Sequence, residues 1–71
     1  MLELKISLFH DGQRVARLKT SDGTTVEGKT NSSSLVLALM NLRSCLRAVG
    51  YKDESDEIQT VDDAIKEFEK D

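Results

Sequence analysis

Two Asp-Gly pairs, Asp11-Gly12 and Asp22-Gly23, punctuate the start of this chain, and each separates segments in which apolar and polar residues alternate. An Asp-Gly pair between alternating runs marks a hairpin turn, because glycine takes the positive φ that a tight reversal needs. Two such turns in succession dictate a three-stranded antiparallel meander, with strands at about 2–9, 13–20 and 24–30.

Register follows from asking which loop length keeps apolar residues on one face, since a one-residue slip sends every side chain to the other side. Two-residue loops would set Ile6 beside Arg17 and Leu18 beside Glu27. Three-residue loops, His10-Asp11-Gly12 and Ser21-Asp22-Gly23, align Leu4, Leu18 and Val26 in one row and Ile6, Ala16 and Gly28 in the next. The small residues of that second row leave room for a helix. The opposite face then carries Lys5, Arg17 and Glu27, flanked by Glu3, Lys19 and Thr25 on one side and by Ser7, Val15 and Lys29 on the other, with Phe9 also pointing that way. Arg14 is counted with this basic face. Arg17 and Glu27 lie directly across from each other, a pairing that favours the register.

Candidate N-caps at Asn31–Ser34 and a stop at Gly50 predict a helix over about 33–49. Its stripe of Leu35, Ala38, Leu39, Leu42, Leu46 and Val49, at spacings of three and four, covers the sheet. Val36, Leu37 and Met40 fall outside that stripe. Thr60-x-x-Asp63 resembles a capping box and opens a second, short amphipathic helix over about 60–70, with Val61, Ala64, Ile65 and Phe68 on one side. Docked on the first helix, it would bury Val36 and Met40 and bring its acids to Arg43 and Arg47. The alternative use of the surplus apolar surface is a homodimer seam through Val36, Leu37 and Met40. The fold class is therefore α+β: the meander packed on one helix, then the acidic helix, in a single domain over 1–71. Residues 52–59 are expected to form a charged, mobile linker.

Charge divides the chain. Residues 1–52 hold eight Lys/Arg against four acids, whereas residues 53–71 hold nine acids against Lys66 and Lys70. A basic body with an acidic end suits a charged partner. At 71 residues the chain is near the lower limit for a core that stands without disulfides, metal or association. Its one cysteine, Cys45, cannot form an internal disulfide and reads as a small core or flank residue of the helix. The alternating N-terminus is unlike a signal peptide, and the longest apolar run, Leu35 to Met40, is too short to cross a bilayer, so a cytoplasmic protein with no membrane partner is expected.

Chemistry-bearing residues are sparse. His10 beside Asp11 lacks a second His or a nearby Cys, so neither a metal site nor a catalytic pair is expected. Ser32-Ser33-Ser34 has no partner base and reads as helix capping. The acid pairs Asp53/Glu54, Asp56/Glu57 and Asp62/Asp63 lack the alternate-position ligands and mid-loop glycine of a calcium loop. No enzyme, cofactor or metal is predicted. The remaining candidates are binding surfaces: the acids Asp53, Glu54, Asp56, Glu57, Asp62 and Asp63, and the basic sheet residues Lys5, Arg17 and Lys19. A three-stranded sheet on one helix is an architecture that some DNA-binding domains lay into the major groove. The net charge of −3, Glu3 and Glu27 on that face, and no aromatic platform beyond Phe9 weigh against nucleic acid here.

The stretch LKISLFHDGQRVARLKTSDGTTVEGKTNSSSLVLALMNLRSCL, residues 4–46, resembles small phage-encoded anti-CRISPR proteins, in which a strand, an Asn/Asp-Gly turn, a basic strand, a third strand and a helix make up the domain. That resemblance implies an inhibitor acting in the host cytoplasm on a larger host or defence protein, by surface occlusion or acidic nucleic-acid mimicry. The segment VEGKTNSSSLVLALMNLRSCLRAVGY is similar in part to antitoxins of the HicB type, an alternative alongside a nucleic-acid-binding sheet face or a small homo-oligomeric structural protein.

Overall fold

The computed structural model describes residues 2–8, 13–31 and 34–69, the side chains of Ser7 and Leu8 excepted. Strands β1 (Glu3–Leu8), β2 (Arg14–Lys19) and β3 (Thr25–Thr30) form one antiparallel sheet in the order β1-β2-β3, followed by helices α1 (Leu35–Val49) and α2 (Asp56–Glu69). The α+β arrangement is the expected one. So is the register: Leu4, Leu18 and Val26 are partners across the sheet, as are Ile6, Ala16 and Gly28, and Lys5, Arg17 and Glu27. The first turn, His10-Asp11-Gly12, lies outside the described residues, as do Phe9, Ser32 and Ser33.

The second turn shows why three residues suffice. Thr20 donates its N–H to the Thr24 carbonyl at 2.7 Å, Gly23 N–H bonds the Thr20 carbonyl at 3.0 Å, and Gly23 takes φ +90°. Thr20, buried among the strand ends, hydrogen-bonds Asp22 through its hydroxyl, and Asp22 in turn accepts the Thr24 N–H at 3.1 Å. These bonds, the Thr20 hydroxyl's foremost, hold the Asp22 carboxyl below its ordinary pKa.

Ser34 caps α1 by accepting the Leu37 N–H at 3.3 Å. Gly50 at φ +123° ends it, with the Tyr51 N–H reaching back to the Leu46 carbonyl at 3.1 Å in a Schellman turn. Alternation turns Leu18, Val26 and Ala16 toward α1, where Ala38, Leu39, Leu42 and Leu46 meet them in the core. α1 lies over β3 and less over β2, and α2 packs on α1; neither helix lies squarely over β1. Gly28 is the contact point between strand and helix. A Cβ there would stand 2.5 Å from Leu42 Cα and 2.6 Å from the Ala38 carbonyl oxygen, so the backbones meet directly.

Four expectations need correction. Val49 is 64% exposed, because it is the last residue of α1 and the chain turns away at Gly50. Arg14 shares the parity of Ala16 and Leu18, so it sits at the helix-side end of the sheet and not on the basic face. α2 begins at Asp56 and not Thr60, so residues 56–59 of the expected 52–59 linker are helical. Ser55 is the cap: its hydroxyl accepts the Ile58 N–H at 3.3 Å and donates to the Lys52 carbonyl at 2.6 Å. Gln59 Nε2 also donates to the Asp53 carbonyl at 2.9 Å, making 52–55 a hydrogen-bonded turn and not a loose segment. Thr60, inside the helix, spends its hydroxyl on the Asp56 carbonyl at 2.7 Å. Finally, α2 does not bury Met40. Its fully buried residues, Ile58 and Val61, stand in its first half and face the C-terminal half of α1, so coverage tapers off; Leu37 (45%), Met40 (49%) and Phe68 (41%) stay exposed, while Val36 is half-buried. Cys45 is a free thiol on an exposed flank of α1.

Candidate functional site

Two charged surfaces emerge, on different layers. The first is the outer face of the sheet, where period-two alternation lines up Glu3, Lys5, Arg17, Lys19, Thr25 and Glu27. Glu3, Lys5, Arg17, Lys19 and Thr25 line a shallow basin of about 360 Å³. Its cations are partly spoken for. Lys5 Nζ lies 3.0 Å from Glu3, and Arg17 Nε lies 3.5 Å from Glu27. The Lys5 hydrogen bond and charge hold the Glu3 carboxyl below its usual range. Lys19 and Lys29 make no ion pair among the described residues. At the other end of this face Val15 is fully buried, while Lys29 across from it is exposed.

The second surface is α2 and the turn before it, and here the structure separates carboxylates that the sequence groups together. Arg43 donates from Nε to Asp62 at 2.7 Å and from Nη2 to Asp53 at 3.2 Å, and Arg47 also donates to Asp53. Asp53 and Asp62 are thus the acid half of a clamp that ties the turn and α2 to α1. Arg47 donating to Asp53 is the main reason that carboxyl sits below its ordinary pKa, with the charges of Arg47 and Arg43 adding to it. The hydrogen bond and charge of Asp62 push the Arg43 guanidinium up.

Glu54, Asp56, Glu57 and Asp63 make no ion pair among the described residues. With 100° per residue, Asp56, Asp63 and Glu67 fall on one stripe of α2, pointing away from the Ile58–Val61–Ile65 side, with Thr60 in the gap. Seven- and four-residue steps place these acids about 10.5 Å and about 6 Å apart along the axis. Asp56 and Glu57 also occupy the first turn, where they complement the helix dipole. Asp63 and Glu67 lie beyond that turn. Glu67 was not among the residues predicted from sequence, although its spacing from Asp63 by one helical turn is the signal that finds it.

The clamp carries an acid dependence. A carboxylate whose folded pKa is depressed contributes stability that is complete above its unfolded value, about 4 for Asp, and is lost as pH falls through the folded value. The methyl resonances of Ile58 and Val61 are expected to report loosening of α2 only below about pH 4. Loosening in the neutral range would contradict a role for Asp53.

Among the described residues, no group of three His, Cys, Asp or Glu side chains could hold a metal ion, and no helix is long and apolar enough to cross a membrane. His10 lies outside those residues. Compared with known proteins, the chain matches no family model, no curated protein and no solved structure.

Proposed function

We propose that this protein is a non-enzymatic binding module that sets the outward carboxylates of α2 against a basic surface of a larger protein. The observation that carries the reading is the division of labour among the acids: Asp53, in the turn before α2, and Asp62 are spent on the clamp, while Asp56 and Asp63 make no ion pair among the described residues and lie in one row with Glu67, turned away from the Ile58–Val61–Ile65 side of α2. A row fixed on a docked helix presents charge without first paying to order it.

Magnitude supports one of two versions of that function. Duplex DNA carries about one charge per 1.7 Å of axis, whereas the α2 row offers three carboxylates over about 16 Å. It is too sparse to imitate a duplex groove as a whole and well suited to occluding a local basic patch. The resemblance to phage-encoded inhibitors supports a host or defence protein as the partner, engaged in the host cytoplasm. The outer sheet face supports a nucleic-acid reading less well, since Glu3 and Glu27 hold two of its four cations.

The test compares capture from host lysate by the wild-type chain and by a variant carrying Glu54→Gln, Asp56→Asn, Asp63→Asn and Glu67→Gln. Proteins held by the first at low salt, released by rising salt and missed by the second are expected. Equal retention by both chains would remove the acidic row from the function.

A further inference from the structure

The two edges of the sheet are not equivalent. β3 lies under α1, and Asn41 of that helix donates from Nδ2 to the Lys29 carbonyl at 2.5 Å, which occupies part of the β3 edge. Nothing among the described residues pairs with the free edge of β1. Its core-facing residues Leu2, Leu4 and Ile6 are only partly buried, because neither helix lies squarely over them. An open edge with unfinished apolar cover is a template for strand addition.

The backbone polarity of that edge follows from the turn. The Thr20 N–H to Thr24 carbonyl bond makes Thr20 and Thr24 a hydrogen-bonded pair. By alternation, Leu18/Val26 and Ala16/Gly28 are hydrogen-bonded pairs too, so the even-numbered residues of β2 direct their backbone groups to β3. The odd-numbered ones therefore face β1, where Glu3/Lys19 and Lys5/Arg17 are the hydrogen-bonded pairs. The N–H and C=O groups of Leu2, Leu4 and Ile6 are left pointing out of the sheet.

From this we infer that β1 pairs antiparallel with β1 of a second copy about a two-fold axis at Leu4, joining the two sheets into one. In that register Leu4 faces Leu4 of the second copy, and Leu2 faces its Ile6. These are the residues with outward backbone groups, so each such pair exchanges two hydrogen bonds. The half-covered apolar rows of the two copies become continuous. On the outer face, Glu3 lies directly opposite Lys5 of the second copy, twice over. Neighbouring registers fail on charge: centring on Glu3 sets Glu3 against itself, and centring on Lys5 sets Lys5 against itself, with like charges directly opposed. Charge complementarity thus selects both the occupant and the register, and the seam is isologous.

Glu3 and Lys5 are exposed, with side-chain exposures of 54% and 72%, so charge reversal there leaves the monomer core intact. In sedimentation equilibrium, the wild-type chain is expected to dimerise with concentration. Glu3→Lys alone and Lys5→Glu alone should each weaken dimerisation about thirtyfold, because each opposes like charges at two symmetric positions. An equimolar mixture of the two variants should recover a dimer, which native mass spectrometry identifies as the mixed species. Hydrogen exchange should protect the Leu4 and Ile6 amides in the dimer and release them in either variant alone. A wild-type chain that stays monomeric at high concentration overturns the proposal. So does a dimer indifferent to both reversals, which would place the seam at Leu37 and Met40 instead.

Discussion

Gly28→Ala is expected to cost about 3 kcal/mol or more, a large share of the stability of a chain this small. The added methyl would stand 2.5 Å from Leu42 Cα and 2.6 Å from the Ala38 carbonyl oxygen, distances that neither backbone can yield without lifting α1 off the sheet. Overpacking against a flexible side chain costs about 1–3 kcal/mol, and against helix backbone it reaches the top of that range or beyond. A chain of this size has a total stability of only about 4–10 kcal/mol. Lifting α1 would also part Leu39 and Leu42 from Leu18 and Val26, which lie in the same core cluster. Urea denaturation monitored by circular dichroism checks this, with Gly23→Ala as the comparison. At Gly23 a Cβ meets nothing within 4 Å, so the cost there is that of φ +90° alone, about 1–2 kcal/mol. Equal losses from the two substitutions would show that the contact at Gly28 is relieved without lifting α1 off the sheet.

Ile58→Ala is expected to cost about 2–5 kcal/mol, the range for truncating a fully buried aliphatic side chain. The result matters because Ile58 and Val61 are the two residues of α2 that are completely enclosed, and both belong to the same core cluster as Leu18 and Leu46. α2 therefore shares one core with α1 and the sheet, and is expected to unfold with them. The substitution should lower the midpoint for the whole chain in one transition, with sheet and helix signals moving together. A separate early transition confined to helix signal would mean that α2 melts on its own, and the acidic row would then lose its fixed geometry.

The residues explain what could be read in advance. The sheet register was legible because two independent constraints, the turn at Asp22-Gly23 and the alternation of Leu4, Leu18 and Val26 with Lys5, Arg17 and Glu27, agree on only one alignment. Gly28 was legible as a small position, though not as the point where α1 touches the strand. The start of α2 was misread because Thr60 and Asp63 imitate a capping box, while Ser55, Asp56 and Glu57 sit in a charged run that resembles solvent-exposed linker. Ile58, three residues before Val61 and seven before Ile65, is the apolar residue that marks the earlier start. The acidic surface was legible as composition only. Which carboxylates turn toward Arg43 and Arg47 depends on the phase of α2, and that phase is set by the burial of Ile58 and Val61.

The hydrogen bond from Asn41 to the Lys29 carbonyl has one more effect. A three-stranded sheet with two bare margins could recruit neighbours at each and extend into a ribbon, the route by which small β-rich proteins precipitate. With part of one margin taken up by a helix side chain, and with pairing through β1 as inferred above, growth in both directions is disfavoured, which is expected to leave the chain one adhesive side without making it a building block for fibres.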